Sequence, residues 1–187
     1  MLFTPTMKAA IFLERDGILN LARSENGQQL SPLTLDQFKV NPLAVAPLRL
    51  LKEAGFLLIA TTNQPAMSQG NISRWELDRM HETLRQTFSL TDILVCPHDE
   101  DEFCPCRKPK AGLFSEAAFK WRIELEQSFI VSDKWQDAEA SRAIGATSLL
   151  VKSPWIGKGH HDLILPTLKA IAEKILQLQL MGRATTA

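Results

Sequence analysis

The chain alternates short apolar runs with longer segments in which apolar residues recur at helical spacing. Short runs of this kind predict buried strands, and the longer periodic segments predict amphipathic helices. The predicted strands are Ala9–Leu13, Phe56–Thr61, Asp92–Cys96, Ser128–Ser132 and Thr147–Val151. Helices are predicted between them at Pro42–Ala54, Ser73–Phe88, Ala111–Arg122 and Gln136–Ile144, followed by a final amphipathic helix at about Leu163–Leu180, entered near Pro166.

Strands that alternate with helices of this length indicate an α/β fold with a parallel central sheet and helices on both faces. In such sheets, ligands bind beyond the carboxyl ends of the strands. Polar residues follow the predicted strands at several of these ends, namely Glu14 and Asp16, then Thr62 and Asn63, and later Asp133. A ligand site is therefore expected where these strand ends meet.

Length and charge narrow the class of protein. The 187 residues favour one domain, predicted to span residues 1–187. Lys plus Arg and Asp plus Glu number 21 each, so net charge does not attract nucleic acid or an anionic membrane. No apolar run approaches the ~20 residues that span a bilayer, and charged residues 14–16 interrupt any signal-peptide profile. We expect a cytoplasmic protein without nucleic-acid or membrane partners, either a monomer or a weak oligomer.

The segment IFLERDG places two acidic residues at the end of the first predicted strand. Residues two apart in an extended segment point the same way, so the carboxylates of Glu14 and Asp16 can converge. Converging carboxylates repel unless a positive charge lies between them, and Mg²⁺ is usually held by one or two carboxylates. The pair indicates a divalent-cation site, or else a loop start that neutralises a nearby lysine or helix N-terminus.

Further polar clusters follow other strands: Thr61–Gln64, Arg107–Lys110 and Ser132–Asp137. Taken singly, they also fit ordinary turn formers, a solvated basic face and the start of a helix. Taken together, they place carboxylates, hydroxyls and cations on one rim of the sheet, as phosphoryl transfer requires. In that chemistry one carboxylate attacks phosphorus to form an acyl phosphate, while a second carboxylate transfers protons.

A compact set of potential metal ligands lies in one eleven-residue window: Cys96, His98, Cys104 and Cys106. All three cysteines of the chain fall in this window, which argues against a disulfide framework. Three cysteines and one histidine supply all four tetrahedral ligands of a structural Zn²⁺. The alternative interpretation is unpaired thiols beside a surface histidine. The zinc would order a loop without its own core and would fix the direction of Arg107 and Lys108.

Four motifs together resemble one known family, over about residues 9–151: FLERDGILN, TTNQ, CPH…CPCRKPKAG and SDKWQD. They are similar to motifs of the haloacid dehalogenase superfamily. The closest similarity is to the branch that contains the D-glycero-D-manno-heptose 1,7-bisphosphate and histidinol-phosphate phosphatases. The resemblance implies a Rossmann-like three-layer α/β fold with a minimal cap, a catalytic Mg²⁺ and a structural Zn²⁺.

The resemblance also implies roles for individual residues. Glu14 occupies the nucleophile position and Asp16 the acid/base position, while Thr62 would bind the phosphoryl group and Lys108 would screen charge. Asp133 would complete the Mg²⁺ site with Glu14 and the backbone carbonyl of Asp16. The residues implied to contact substrate are Asn20, Asn63, Gln64, Arg107 and Lys134.

The chain departs from the family pattern at three places near this site. Glu14 stands where the family has Asp, Ser132 stands where it usually has Gly, and residues 65–66 are Pro-Ala instead of Ser-Gly. Two functions therefore follow from the sequence. The first is a Mg²⁺-dependent phosphatase of a small phosphorylated metabolite, such as a heptose bisphosphate. The alternative is a catalytically impaired, phosphatase-like module that binds Mg²⁺ and a phosphorylated ligand without turnover.

Overall fold

The computed structural model describes residues 7–185, so residues 1–6 and 186–187 of the predicted domain lie outside the described residues. Its strands are β1 (Ala10–Glu14), β2 (Arg23–Glu25), β3 (Gln28–Leu30), β4 (Leu57–Asn63), β5 (Asp92–Cys96), β6 (Phe129–Ser132), β7 (Thr147–Val151) and β8 (Leu163–Leu165). Six of them form one sheet in the order β5-β4-β1-β6-β7-β8. Every pairing in this sheet is parallel, which confirms the predicted α/β architecture.

The helices are α1 (Pro42–Glu53), α2 (Arg74–Phe88), α3 (Gly112–Trp121), α4 (Trp135–Ile144) and α5 (Leu168–Thr185). The first four match the predicted helices to within one residue at each end. Across residues 7–185, no helix combines the length and the apolar character that crossing a membrane requires.

The prediction of one helix over Leu163–Leu180 is wrong at its start. Leu163–Leu165 pairs with β7 as the parallel edge strand β8, and the helix begins only at Leu168. Pro166 separates the two elements, because the residue before a proline is disfavoured in the helical region. A run of three apolar residues fits the period of a strand as well as that of a helix. The free edge of the sheet beside β7 therefore decided that the run forms a strand.

Side chains alternate across the sheet, so each strand contributes to two cores. From β1, Ile11 and Leu13 join the core that contains residues of α1, α2 and α5. Ala10 and Phe12 face the opposite core, where Phe12 packs edge-on against Phe114 of α3 at 5.1 Å between ring centroids. The sheet is therefore covered on both faces, and polar residues of its central strands concentrate at the strand ends.

A two-stranded antiparallel hairpin, β2–β3, extends over the carboxyl end of the sheet. Its turn is Asn26-Gly27, with φ of +50° and +76°, the backbone that a type I′ hairpin turn requires. This hairpin was not predicted, because its strands RSE and QQL carry almost no apolar alternation. It is a small structural addition, consistent with the minimal cap that the resemblance implies.

Candidate active site

The predicted polar residues meet at the carboxyl ends of three adjacent strands. Glu14 is the last residue of β1, Asn63 is the last residue of β4, and Asp133 follows β6 directly. These strands neighbour one another in the sheet. A cavity of about 190 Å³ opens here, and its lining includes Glu14, Asp16, Asn63, Arg107, Lys108 and Lys134.

Glu14 is buried, and both of its carboxylate oxygens already accept hydrogen bonds from the chain. Oε1 accepts from the backbone N–H groups of Arg15, at 2.9 Å, and Asp16, at 3.2 Å. Oε2 accepts from the ammonium of Lys108. Burial raises the pKa of Glu14, but Lys108 and Lys134 together outweigh it and hold that pKa below its ordinary value. The carboxylate is therefore ionised, and its extra methylene lets it fold back onto its own backbone.

Lys108 follows the loop that carries the cysteines, and its side chain bonds to Glu14 at the end of β1. Its ammonium also donates to Asp137 Oδ1 at 2.7 Å and to the carbonyl of Thr61 at 3.0 Å. Burial lowers the pKa of Lys108, but Asp137 and Glu14 raise it above its ordinary value, so the lysine stays charged. Burial raises the pKa of Asp137 to about 6 despite the opposing effect of Lys108. The ammonium is thus fixed between two carboxylates, as screening of a phosphoryl group requires.

The carboxylate of Asp16 accepts hydrogen bonds from several side chains. The guanidinium of Arg15 contacts both of its oxygens, at 3.0–3.1 Å, and Ser31 and Gln64 donate to Oδ2 at 2.7 and 3.0 Å. Burial raises the pKa of Asp16, but Arg15, Lys134 and Ser31 together outweigh it and lower that pKa to about 2. Asp16 is therefore a carboxylate at neutral pH, in the state that accepts a proton.

His81 of α2 lies behind this ion pair and holds the guanidinium in place. Its Nε2 is 3.3 Å from Arg15 Nη1, and the imidazole is buried. Burial and the charge of Arg15 together lower the pKa of His81 to about 3. The imidazole is consequently neutral, and its Nε2 accepts the hydrogen bond that Arg15 donates.

This arrangement predicts an acid-sensitive stability. Between pH 6.5 and about 3 the unfolded His81 binds a proton that the folded one does not. The free energy of unfolding should therefore fall, as pH falls, by about 1.4 kcal/mol per pH unit from this residue alone. Glutamine can still accept from Arg15 but does not titrate. Urea unfolding at pH 7.5 and 5 should show a smaller loss for His81→Gln than for the wild type, and equal losses would contradict the prediction.

Asp133 and the backbone of Asp16 face each other, as the proposed metal site requires. Gln29 Nε2 bridges them, at 3.0 Å to Asp133 Oδ2 and 3.4 Å to the Asp16 carbonyl. Gly17, with φ of +101°, makes this approach possible, because a Cβ there would lie 2.2 Å from Asp133 Oδ2. The ammonium of Lys134 donates to the Asp16 carbonyl and, at 2.9 Å, to Asp133 Oδ1.

These groups fit a magnesium ion in chemistry and charge. Carboxylate and carbonyl oxygens are the ligands that Mg²⁺ prefers. The Lys134 ammonium shows directly that the position between Asp133 and Asp16 stabilises a cation. Burial and the charge of Glu14 raise the pKa of Asp133 even with Lys134 beside it. Residues that would hold the ion are Glu14, Asp133 and, through its carbonyl, Asp16.

The other residues predicted for the site divide into two groups. Asn63 lines the cavity and clamps the Lys108 backbone by a reciprocal pair of hydrogen bonds, each 3.0 Å long. Thr62 and Gln64 are buried beneath the cavity, where Gln64 Nε2 donates to Thr62 Oγ1 at 2.9 Å. Asn20 is not brought into the cavity. It is fully buried and closes the turn after β1, with its carbonyl accepting from the N–H of Gly17.

Gln29, Ser31 and Asp137 were not among the predicted site residues, yet each contacts a charged group of the cavity. Gln29 and Ser31 reach the site because the β2–β3 hairpin crosses it. The Asn26-Gly27 dipeptide is a strong hairpin signal and could have placed them over the site. Asp137 lies four residues after Asp133 at the start of α4, and its pairing with Lys108 has no sequence signal of its own.

The predicted zinc ligands converge. The ligand atoms of Cys96, His98, Cys104 and Cys106 all lie within 4.8 Å of one another. Separations include 3.5 Å between the sulfurs of Cys96 and Cys104 and 3.2 Å from His98 Nδ1 to Cys106 Sγ. Tetrahedral Zn–S bonds of ~2.3 Å place sulfurs roughly 3.8 Å apart, so the cluster fits a closed zinc site.

The zinc loop is tied to the cavity at its end. Arg107, the residue after Cys106, donates to the carbonyl of His98 at 3.1 Å and also lines the cavity. Lys110 donates to the carbonyl of Cys104 at 2.7 Å. The direction of Arg107 and Lys108 therefore depends on the folding of the cysteine–histidine cluster.

Known proteins are similar to this chain in sequence and in fold. Residues 105–175 match the HAD-hydrolase-like family model. The D-glycero-beta-D-manno-heptose-1,7-bisphosphate 7-phosphatase of Pseudomonas aeruginosa is 30% identical over 91% of this chain and 99% of its own length. The enzyme of the same name from Pseudomonas putida is 33% identical over 89% and 98%. The alignments with both enzymes therefore extend over nearly their whole length.

A solved structure extends the comparison. The D,D-heptose 1,7-bisphosphate phosphatase from B. bronchiseptica, complexed with magnesium and phosphate, superposes with a TM-score of 0.76 and 26% identity. The superposition covers 91% of this chain and 99% of that one. The chain therefore belongs to the haloacid dehalogenase-like family of the D-glycero-beta-D-manno-heptose-1,7-bisphosphate 7-phosphatases.

Proposed function

We propose that this protein is a Mg²⁺-dependent phosphatase that hydrolyses a phosphate monoester of a small metabolite, such as D-glycero-D-manno-heptose 1,7-bisphosphate. The observation that carries the proposal is the meeting of Glu14, Asp16 and Lys108 at one cavity in a member of this family, with Asp133 bonded beside it through Gln29 and Lys134. We further propose a cytoplasmic protein that acts as a monomer or weak oligomer, without nucleic-acid or membrane partners. The balanced charge of the chain supports this part.

In the proposed reaction a Glu14 carboxylate oxygen attacks phosphorus and forms an acyl phosphate. The bond from phosphorus to the ester oxygen breaks, and the leaving oxygen takes a proton from Asp16, which has first to bind one from solvent because it is ionised at neutral pH. Asp16, again a carboxylate, then accepts a proton from the water that attacks the acyl phosphate and releases Glu14 and phosphate. Lys108, Arg107 and Lys134 supply positive charge around the phosphoryl group, and bound Mg²⁺ would add to it.

The leaving group would lie under the hairpin. A second cavity of about 440 Å³ adjoins the first and shares Gln29, Ser31 and Pro65 with it. Its lining is rich in amide side chains, contributed by Gln29, Gln37, Gln64, Gln69 and Asn71. Amides both donate and accept hydrogen bonds, which suits the hydroxyl groups of a sugar. Arg23 and Glu25 line the same cavity and offset each other, which favours a neutral polyol part over a second anion there.

Binding without turnover is the second candidate function, and the contacts of Glu14 favour it. Each Glu14 oxygen is bonded to a donor of the chain, so attack on phosphorus requires one of these bonds to lengthen. An ionised Asp16 also lacks the proton that the leaving group needs. Both features slow the first chemical step without weakening the binding of phosphate.

Phosphate release decides between the two functions. We expect Mg²⁺-dependent release from at least one of heptose 1,7-bisphosphate, histidinol phosphate and an aryl phosphate. Asp133→Asn should lower kcat/KM on the order of 10²-fold, because it weakens the metal site. Asp36→Asn, at an exposed aspartate away from the cavity, is the matched control and should leave the rate unchanged.

Absence of phosphate release would contradict the phosphatase proposal. If no substrate yields more phosphate than Asp133→Asn does, the phosphatase proposal fails. Thermal stabilisation by Mg²⁺ with inorganic phosphate, seen in the same protein without turnover, would then support the binding module.

A further inference from the structure

Lys134 contacts residues that would hold Mg²⁺ and also lines the cavity that would take the phosphoryl group. It is the residue before α4, and its ammonium donates to the Asp16 carbonyl and to Asp133 Oδ1. Both acceptors belong to the group that would hold Mg²⁺. The same side chain also lines the cavity that would take the phosphoryl group, and it is 19% exposed. Lys134 therefore stands between the metal ligands and the phosphate pocket.

The ammonium acts here as the counter-ion of an acidic cluster. Burial lowers the pKa of Lys134, but Glu14 and Asp133 together raise it above its ordinary value. Lys108, another cation of this cavity, is already shared between Glu14 and Asp137. Lys134 is thus the cation that balances Asp133 in this arrangement.

Lys134 and a metal ion exclude each other from this position. Mg²⁺ binds oxygen at about 2.0–2.1 Å and tolerates little distortion of its ligands. A cation that shares two of these oxygens would lie only about 3–4 Å from the ion, where like charges repel strongly. The binding of Mg²⁺ therefore requires the ammonium to leave the Asp16 carbonyl and Asp133.

We propose that Lys134 is an exchangeable internal cation: it holds the metal position until Mg²⁺ displaces it, and it then becomes a phosphate ligand. The inference rests on the proposed function for the metal site and adds a coupling to it. A lysine has enough rotatable bonds to turn away from Asp133 and point into the 190 Å³ cavity, where its charge would face the phosphate. Metal and phosphate binding then favour each other, and by linkage the effect is reciprocal.

Mg²⁺ titration by calorimetry, without substrate, tests the exchange directly. Lys134→Gln should bind Mg²⁺ about tenfold more tightly than the wild type, because no internal cation has to be displaced. Lys134→Arg keeps the charge and should stay close to the wild type. Arg107→Gln removes a cation from the same cavity that does not touch the ligands, so its affinity should change by less than about twofold.

Addition of inorganic phosphate measures the coupling. Phosphate should tighten Mg²⁺ binding more in the wild type than in Lys134→Gln, by a further factor of about ten. A second measurement follows the amine itself. Mg²⁺ should increase the acetylation of Lys134 by acetic anhydride, read by mass spectrometry of its peptide, because the ammonium is released from Asp133.

The outcomes separate this inference from the proposed function. Equal Mg²⁺ affinity in the wild type and Lys134→Gln, or no change in Lys134 acetylation on adding Mg²⁺, overturns the exchange and leaves the phosphatase proposal standing. Absence of Mg²⁺ binding in both proteins overturns the exchange and the metal site together. Exchange without phosphate release supports the exchange and contradicts only the catalytic proposal.

Discussion

Removal of metal from the cysteine–histidine loop is expected to lower the melting temperature on the order of 10 °C, since 1 kcal/mol corresponds to about 2–4 °C in a domain of this size. A structural zinc contributes several kcal/mol to folding, because its ligands are brought together only in the folded chain. Apart from the metal, the loop is held mainly by hydrogen bonds, such as those from Arg107 and Lys110 to its carbonyl oxygens. Phe103 is 85% exposed, and the acidic residues around it face solvent.

The same treatment should reduce any turnover. Arg107 and Lys108 follow Cys106 directly, and the carbonyl of His98 accepts from Arg107. Without the metal, three sulfurs and an imidazole nitrogen at 3.2–3.6 Å have no shared partner to hold them together. We therefore expect the two cations to lose their fixed direction when the loop opens.

The measurement combines metal analysis with thermal unfolding. Protein purified without chelators should contain about one zinc per chain by mass spectrometry. Cys104→Ser should reproduce the effect of a strong chelator, whereas Asp101→Asn, exposed on the same loop, should not. Full removal of zinc with no change in the melting temperature would show that the loop is held by other contacts.

The central elements were predictable because their sequence patterns and their tertiary environments agree. The apolar runs that become β1 and β4 are buried in the middle of the sheet, where no alternative fits them. The structure of residues 163–165 was not predictable in this way. The apolar run of β8 fits the period of a helix as well as that of an edge strand, and its pairing with β7 depends on a contact distant in sequence.

The site was predictable to a similar degree. The strand ends brought Glu14, Asn63 and Asp133 together, the first two lining one cavity, since parallel strands bring their carboxyl ends to one edge of the sheet. The direction of a long side chain was not predictable. Lys134 could reach substrate or metal ligands from the same Cα, and only the packing of the hairpin and α4 decides between them.

Glu14→Asp is expected to raise the rate of the chemical step on the order of 10²-fold, because a misplacement of ~1 Å at the attacking atom costs about that much. The shorter side chain is less able to fold back onto the N–H groups of Arg15 and Asp16, which hold Oε1 in the present arrangement. Asp137 would still position Lys108 at 2.7 Å, so the charge that screens the phosphate remains.

The gain should appear in kcat, with KM nearly constant, because Arg107, Lys108 and Asn63 are unchanged. Glu14→Gln supplies the baseline, since it keeps the shape of the side chain and removes the nucleophile. A rate for Glu14→Asp within about threefold of the wild type would contradict the prediction, because 1 Å of misplacement would then not limit the reaction. The limit would then lie in the neighbouring departures, of which Ser132 is the better placed, since its hydroxyl donates to Asp137 at 2.9 Å.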